Sequence, residues 1–513
     1  MTVKLESTPL GMYPTVDLPS LITRRDRALD PGLRPAFLAE GPARKRLDQL
    51  FNDKALCVTT GQQPGVLTGP LFTIYKALTT VALARSIERT ANRPVVPVFW
   101  VGGDDHDFAE ANHVYLLTMA NEVQRLSLRE RGADAPSLPL FREALGPQVD
   151  EIIATYSAQT PETEFRSNVL EWVTQHYRPD CDLATAFAGA IAEIMGPYGL
   201  VVFCPTHTAA KRAMAPFLIQ TLEQGADLDD ALAARAVELE SAGKPVPVPV
   251  GDGATPVMIE GALGRDRLLF DRNGFAARRS GEVWTLQELE DVATTAPERL
   301  SPNVLLRPVM EAALLPTLAY VAGPGELRYL PQSRPIYDRL DVFPQIPFPR
   351  WSGRVMETRV TKVLEKYGIS PDDLRAQEGQ LEASLVLADM PEEATQAMTA
   401  LRRTLGSEYQ RLRETAERVD PTLRKPVQAA QNSALSGVAD IEKRIVTHLK
   451  KQNDIVVQQL AKARHNLFPL GKPQERVFNV VAYLIRYGPA FLDAVLETIE
   501  DSLPSLDPDS GAS

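Results

Sequence analysis

Cysteine is scarce in this chain of 513 residues, which holds only Cys57, Cys181 and Cys204. Their spacing fits no metal-binding pattern and cannot build a disulfide framework, so the sequence favours a reducing compartment and predicts a cytoplasmic protein. The N-terminus lacks a basic start followed by an apolar run, and we therefore expect no signal peptide. No uninterrupted apolar stretch is long enough to cross a membrane, so we expect no membrane partner.

An excess of positive charge is also missing, because the formal net charge is −11. A nucleic-acid-binding protein would show a basic field, so this balance argues against a nucleic-acid partner. Hydrophobic residues make up 44% and charged residues 24% of the chain, which is typical of a globular protein. The length is sufficient for two or three domains.

Three short catalytic and nucleotide-binding motifs are absent from the sequence. There is no G-x-x-x-x-G-K-[ST] loop, no G-x-G-x-x-G fingerprint and no H-E-x-x-H metal motif. Any active site must therefore be inferred from the arrangement of longer segments.

The most informative segment runs from Ala55 to Tyr115. It begins with the short, β-branched run 55–60, continues through the glycine-rich loop 61–69, and then shows helical spacing of apolar residues from Pro70 onwards. A second continuous apolar run follows at 95–101. This order of strand, loop, helix and strand is the repeating unit of a parallel sheet with right-handed crossovers.

Polar residues follow both strands, where such sheets bind ligands. A third apolar strand, Thr317 to Val321, is also followed by a glycine turn. We therefore expect one cleft at the carboxyl ends of the strands. The candidate substrate-binding residues are Thr60, Gly61, Gln62, Gln63, Asp104, Asp107, Gly323, Gly325, Glu326 and Arg328, and the candidate catalytic residues are Asp105 and His106.

Other segments complete an α/β fold class with a Rossmann-like parallel sheet. Leu200 to Cys204 and the helix after it form a second βα unit, and the sheet is predicted to resume around Leu305 to Pro308. Two regions, about 116–185 and 235–300, interrupt the sheet as insertions, and the second contains a meander of short antiparallel strands. A single helix is predicted over Leu33 to Phe51 and another over Gln474 to Thr498.

From residue 355 the pattern becomes helical, with a partial heptad and then an apolar stripe that predict two long antiparallel helices in a coiled coil. We expect the domains to be 1–354 for the core, 355–470 for the coiled coil and 471–513 for a C-terminal helix. A helix pair covers each member on one side only, so the coiled coil is predicted to join a homodimer. The stripe consists of Val438, Ile441, Ile445, Leu449, Val456 and Leu460.

The acidic cluster after the second strand has three interpretations. Carboxylates with an imidazole could bind a divalent metal, could cap a helix, or could contact a polar substrate. The loop from Gly61 to Gly65 could likewise present amides to an anion or could be a structural turn. Lys76, nearly two turns into the following helix, is expected to be solvated.

Four long motifs together resemble one known family. They are TTGQQPGVLTGPLFTIYKA, PVVPVFWVGGDDHDFAEANHV, SPNVLLRPVMEAALLPTLAYVAGPGELRYL and LFPLGKPQERVFN, which occur in this order over nearly the whole chain. The sequence resembles the cysteine ligase BshC family of bacillithiol biosynthesis. The resemblance implies a Rossmann-like core related to class I aminoacyl-tRNA synthetases, two connecting-peptide insertions and a dimerising coiled coil.

The resemblance also implies a reaction, in which cysteine is joined to the amino group of glucosaminyl malate in the last step to bacillithiol. A carboxylate is a poor acyl donor, so a ligase of this kind is expected to use ATP or another nucleotide. The sequence has neither a His-x-Gly-His signature nor a Lys-Met-Ser-Lys-Ser loop, and it has no cysteine and histidine set for zinc, so we predict no metal cage.

Two other functions are compatible with the residues. One is a metal-dependent hydrolase that uses Asp104, Asp105 and His106. The other is a non-catalytic coiled-coil scaffold, although a scaffold has no need for polar sequence at three strand ends. The sequence leaves open which nucleotide is used, what the acceptor is, and which residue is the general base.

Overall fold

The structure is a computed structural model that describes residues 4–10, 13–14, 22, 28–271, 274–377, 379–388, 392–452 and 454–504. The chain forms two compact units. One contains Met1–Val355 together with Pro473–Ser513, and the other contains Met356–Lys472. The C-terminal segment, predicted as a part of its own, therefore belongs by its contacts to the first unit.

The first unit is built on a six-stranded sheet in the order β14-β13-β3-β4-β7-β2. All neighbours are parallel except β2, which pairs antiparallel with β7. The strands are β2 (Phe37–Leu38), β3 (Leu56–Gln62), β4 (Val95–Val101), β7 (Val201–Phe203), β13 (Thr317–Ala322) and β14 (Ile346–Pro349).

The sequence of the central strands explains their position. All residues of β4 and all but the last residue of β3 are buried, as continuous apolar and β-branched runs require when a sheet is covered on both faces. The helix Phe72–Ala91 connects β3 to β4 and ends where Asn92 adopts a left-handed conformation, with φ of 48°. This crossover places the ends of both strands at the same edge of the sheet.

The remaining strands lie in a second sheet and in two strand pairs. The second sheet is antiparallel, in the order β11-β10-β9-β8-β12, which agrees with the meander predicted in the second insertion. Its strands are β8 (Ala254–Gly261), β9 (Gly264–Asp271), β10 (Gly274–Ala277), β11 (Val283–Trp284) and β12 (Leu300–Pro302). The pairs are β5 (His113–Leu117) with β6 (Val123–Ser127), and β1 (Leu5–Ser7) with β15 (Gly353–Val355).

Helices surround these sheets in the first unit. They are Ala43–Asn52, Phe72–Ala91, Phe108–Ala111, Gln148–Gln159, Arg166–His176, Leu183–Met195, Thr208–Glu223, Gly225–Ser241, Leu286–Thr295, Arg307–Leu314, Pro324–Tyr329, Arg334–Arg339, Val481–Tyr487 and Ala490–Ser502.

Three predicted elements are wrong. The helix expected over Leu33 to Phe51 is a 3-10 turn, a short strand and the helix Ala43–Asn52. The strand expected at Leu305 to Pro308 is the beginning of the helix Arg307–Leu314. The single helix expected over Gln474 to Thr498 is divided at Gly488, whose φ of 66° ends one helix while Pro489 precedes the next.

The second unit is helical. Its helices are Thr358–Tyr367, Gln380–Ala388, Glu392–Val419, Arg424–Gln452 and Asp454–Leu467. The predicted apolar stripe does not lie on one free face, because Val438 and Leu460 are buried inside this unit whereas Ile441 is 53% exposed. Leu460 packs in a small core with Val360, Leu364 and Leu467.

No helix in the part of the chain that the structure describes is both long and apolar enough to span a bilayer.

Candidate active site

Three loops that follow β13, β3 and β4 meet at one edge of the central sheet. The side-chain amide of Gln63 donates to the carbonyl of Asp107 at 3.0 Å, and Gly102 N–H donates to the carbonyl of Gln62 at 2.8 Å. On the other side, Lys76 Nζ lies 2.5 Å from a carboxylate oxygen of Glu326. The sheet order brings these three polar segments together, as the sequence analysis expected for a cleft.

The sequence predicts a solvated Lys76, and this prediction is wrong, because the residue is only 2% exposed. Its ammonium donates to the carbonyl of Gly61 at 2.6 Å and to Gln62 Oε1 at 3.2 Å, in addition to its ion pair with Glu326. Burial lowers the pKa of Lys76, against the opposing effect of Glu326. Burial alone would raise the pKa of Glu326, but the charges of Lys76 and Arg307 lower it overall. The contact between these two groups joins the ends of β3 and β13.

A second buried ion pair lies beside the first. Arg307 donates to Glu311 at 3.1 Å and to the hydroxyl of Tyr320 at 2.8 Å, and Thr59 and Tyr320 donate short hydrogen bonds to Glu311 and Glu326, respectively. Burial raises the pKa of Glu311 to about 7, although Arg307 opposes the rise. The two carboxylates around Arg307 thus have pKa values shifted in opposite directions, upward for Glu311 and downward for Glu326.

The predicted residues of this wall differ in their access to solvent. Thr60, Gly61 and Gly323 are buried, and the Thr60 hydroxyl donates to the carbonyl of Val321 at 2.8 Å. Gly325 and Arg328 are exposed on the short helix Pro324–Tyr329. Gln62 and Gln63 are half-buried and, like Glu326, combine a polar side chain with partial exposure.

The end of the glycine-rich loop after β3 forms a 3-10 turn, Val66–Thr68, that bonds to the protein. The backbone N–H groups of Thr68, Gly69 and Leu71 donate to the hydroxyl of Tyr177 and to the carbonyls of Val66 and Phe478, respectively, at 2.7–3.0 Å. The beginning of the following helix is therefore already covered by the protein. The alternative in which Gly61 to Gly65 present their amides to an anion stays a prediction.

The loop after β4 contains a buried carboxylate, Asp104. Lys211, which is fully buried, donates to Asp104 Oδ1 at 2.5 Å and to the carbonyl of Leu300 at 2.9 Å. Burial lowers the pKa of Lys211, and the carboxylate of Asp104 opposes this change. Lys211 belongs to the helix Thr208–Glu223, so this pair connects β4 to the helix that follows β7.

Asp105 and His106 are half-buried in this loop, with side chains 44% and 36% exposed. One carboxylate oxygen of Asp105 accepts from the backbone N–H groups of His106 and Asp107 at 2.6 and 3.2 Å. The ring nitrogen His106 Nδ1 lies 3.9 Å from the same oxygen and 3.2 Å from Arg265 Nη1.

Burial and Arg265 together favour the neutral form of His106, and Arg265 sets its tautomer. A guanidinium only donates hydrogen bonds, so Nδ1 must accept and the proton of the neutral ring is on Nε2. Burial and the charge of Arg265 lower the pKa of His106, with Asp105 acting in the opposite direction. Arg265 also donates to Ser301 Oγ and to the carbonyl of Pro302, at 3.0 and 2.8 Å. His106 is therefore held neutral, with an N–H donor available at Nε2.

Asp107 acts as a helix cap, since its carboxylate accepts from Glu110 N–H at 3.0 Å. Together with the Asp104–Lys211 pair, this contact directs two of the clustered carboxylates to protein partners. Within the described ranges, no three His, Cys, Asp or Glu side chains form a group that could hold a metal ion.

Sequence reasoning missed the four buried cations Lys76, Lys211, Arg265 and Arg307. Lys76 lies in a helix that is almost wholly buried, and the apolar residues on both sides of it in the sequence could have indicated its burial. Arg265 lies on β9 in the second insertion, far from His106 in sequence, and no local pattern indicates their contact.

Comparison with known proteins identifies the family. Residues 36–351 match the family model described as "Bacillithiol biosynthesis BshC, N-terminal Rossmann-like domain", and residues 354–503 match "Bacillithiol biosynthesis BshC, C-terminal coiled-coil domain". A protein of Salinibacter ruber named "Putative cysteine ligase BshC" is 35% identical over 88% of this chain and 82% of its own length. A protein of Heliobacterium modesticaldum with the same name is 30% identical over 97% and 91%. The chain belongs to the bacillithiol biosynthesis BshC family of ligases.

Proposed function

We propose that this ligase joins the carboxyl group of L-cysteine to the amino group of glucosaminyl malate, in the last step of bacillithiol biosynthesis. The names of its relatives support the choice of cysteine. One structural observation carries the choice of reacting groups, namely that Asp105 and His106 lie partly exposed at the strand edge, with His106 in contact with the buried Arg265. Family membership sets aside the hydrolase and scaffold alternatives.

The position of Asp105 suits a carboxylate that binds an amine and accepts a proton from it. Backbone N–H groups hold one of its oxygens, and 44% of the side chain remains exposed. In the proposed reaction the amine nitrogen forms a bond to the cysteine carbonyl carbon, the leaving group departs from that carbon, and the nitrogen loses a proton. Asp105 binds the amine before the attack and accepts this proton.

The contact between His106 and Arg265 disfavours the histidine as the proton acceptor. Removal of a proton by Nδ1 would require the ring to leave Arg265, because that nitrogen already accepts a hydrogen bond. The neutral ring can instead donate from Nε2 to the oxygen of the reacting carbonyl, where negative charge develops. We therefore assign His106 to stabilising that oxygen and Asp105 to accepting the proton.

Substrate carboxylates require cations or amide donors nearby. Arg265 has no carboxylate within ion-pair distance in the described part of the chain, as is also true of the exposed Arg328, whereas Lys76, Lys211 and Arg307 each have one. Gln62 and Gln63 add partly exposed amides. The proposal therefore places the malate end of the acceptor toward Arg265 and the two glutamines.

A nucleotide, ATP or a related triphosphate, is part of the proposal. When bound, it would supply the activation that turns the carboxylate of cysteine into an acyl donor. Arg265, Gln62 and Gln63 are described residues whose side-chain donors fit an anionic group. We also place the reaction in the cytoplasm, which the three cysteines fit because none of them forms a disulfide.

The test is an amide-forming assay with cysteine, glucosaminyl malate and ATP. Asp105→Asn and His106→Gln are each expected to lower kcat by about 10²–10⁴, the range for lost acid–base groups, with the Tm nearly unchanged because both side chains are partly exposed. Asp230→Asn, an exposed position on the helix Gly225–Ser241, is the matched control and should retain full activity. Wild-type turnover in both site variants would overturn the assignment of these residues.

A further inference from the structure

A cavity of about 810 Å³ lies in the first unit, away from the strand ends. It is bordered by the helices Arg166–His176, Leu183–Met195 and Ala490–Ser502. Most of its wall is apolar, with Leu492 and Leu496 at the base. Its size and apolar wall are those of small-molecule binding sites.

The charged residues around this cavity are mostly acidic. Glu193, Asp493, Glu497 and Glu500 line it, against a single arginine, Arg85. Glu193 binds His176 at 2.6 Å, and Glu500 pairs with Arg85 at 3.1 Å. Glu497 is exposed and has no ion-pair partner in the described part of the chain, so the cavity keeps an excess of negative charge.

Three aromatic residues, Phe165, Trp172 and Tyr198, also line the cavity. Trp172 is 8% exposed, and its indole N–H has no acceptor among the described residues. The hydroxyl of Tyr198 donates to Asp493 at 2.7 Å, so an aromatic ring and a carboxylate are joined in the same wall. Aromatic faces beside carboxylates attract organic cations, because the ring quadrupole and the negative charge act in the same direction.

We propose that this cavity binds an organic cation with apolar substituents, of the quaternary ammonium or phosphonium class. The apolar base would cover the substituents, and the aromatic rings and carboxylates would surround the positive centre. An anionic ligand of the same size would face four carboxylates and only one arginine.

This cavity is separate from the proposed active site. Lys76 reaches the strand edge near one end of the helix Phe72–Ala91, whereas Arg85 lines the cavity nine residues further along the same helix. Nine residues of helix correspond to roughly 13 Å. Binding at the cavity can therefore be measured without any step of the ligase reaction.

The experiment compares two ions of nearly equal size and opposite charge. Tetraphenylphosphonium and tetraphenylborate are titrated into the full-length protein by calorimetry. We expect the cation to bind at least tenfold more tightly than the anion, and its binding to change the fluorescence of Trp172. Trp172→Phe should remove most of this fluorescence change while the calorimetric binding persists.

Charge variants provide the second measurement. Asp493→Asn and Glu497→Gln are each expected to weaken cation binding about two- to fivefold, the range of exposed ion pairs. Glu240→Gln, an exposed change of the same charge far along the helix Gly225–Ser241, should leave it unchanged. The proposal would be overturned if both ions bound with equal affinity, or if the fluorescence response were unchanged in Trp172→Phe. It would also be overturned if the dissociation constant of the cation lay above 1 mM, a binding free energy of ~4 kcal/mol. None of these outcomes depends on ligase activity.

Discussion

Buried cations determine the behaviour of the acids around the strand edge. Lys76, Lys211 and Arg307 each have a carboxylate within 3.1 Å, and each pair joins two different segments or turns of the chain. Taking a charge out of water is costly unless it is paired and hydrogen-bonded. The paired acids are therefore structural, and the half-buried Asp105 and His106 are the residues that we propose to contact substrate.

Arg265 should control the pH at which the enzyme works. Its charge lowers the pKa of His106, and the ring is neutral above that pKa. In Arg265→Met the pKa of His106 rises, so the neutral form requires a higher pH and the acidic limb of the kcat profile should move upward. Arg278→Met, an exposed change on the same sheet, is the control. An unmoved acidic limb in Arg265→Met would show that Arg265 does not position or neutralise His106.

The ion pair between Lys76 and Glu326 should be strongly coupled. Lys76→Met leaves the carboxylate with fewer partners, and removal of one member of a buried pair typically costs about 3–5 kcal/mol. We expect the Lys76→Met/Glu326→Gln double variant to lose less stability than the sum of the two single losses. Urea unfolding measures the loss of stability in the two single variants and in the double variant. Arg44→Met, which removes one member of an exposed ion pair, is the control. Strict additivity would contradict the coupling.

At the residue scale, the sequence predicted which segments approach the edge but not what each side chain does there. The acids after β4 were predicted as substrate contacts, whereas Asp104 pairs with Lys211 and Asp107 caps a helix. The partner of Asp104 is 107 positions away, and that of His106 is 159 positions away. Such pairs depend on how distant elements pack, and no local period of the sequence encodes them.

At the element scale, the loop after β4 is held by close packing at Gly103. A Cβ atom at this position would lie 2.9 Å from the Cβ of Ala184 and 3.0 Å from a methyl group of Thr206. The helix Leu183–Met195 begins beside this contact, with its N–H at Thr185 capped by Asp182. The position of Asp104 to Asp107 therefore depends on a helix that is distant in sequence.

Gly103→Ala should reduce turnover more than it reduces stability. Overpacking of this kind costs about 1–3 kcal/mol, and the loop can relieve it only by moving the residues that follow. We expect a loss of kcat of at least tenfold with a folded protein by circular dichroism. Gly132→Ala is the matched control, because nothing lies within 4 Å of its added Cβ. Full activity in Gly103→Ala would show that the loop tolerates this movement.

The elements that the sequence predicted well are those with a strong period and clear ends. The run Val95–Val101 and the helix Phe72–Ala91 are examples, since apolar spacing and Arg93-Pro94 define them. The elements that were predicted wrongly begin or end at one or two residues that do not change the overall apolar pattern. Gly488 with Pro489 divides an otherwise helical pattern, and the apolar residues around Leu305 belong to a helix start that Asn303 holds with its side chain.

At the scale of the whole molecule, the helical unit carries apolar surface that its own chain does not cover. Val438 and Leu460 from the predicted stripe are buried within this unit, so they stabilise the helices of one chain. Leu401, Leu412, Ile441 and Ile455 are instead 45–68% exposed. The proposed homodimer therefore rests on these exposed residues rather than on the whole predicted stripe.

The last prediction is that the protein is a homodimer joined through the helices Glu392–Val419 and Arg424–Gln452. Full burial of each Leu or Ile contributes roughly 1.5–3 kcal/mol, and two subunits double the number of such residues. We expect sedimentation at micromolar concentration to give about twice the chain mass of 56.4 kDa. Ile441→Glu with Ile445→Glu should give monomers, because carboxylates would enter the contact. Val237→Glu, at a residue 62% exposed in the first unit, should leave the dimer intact. A wild-type protein that sediments as a monomer would exclude this assembly, and the exposed residues would then only face solvent.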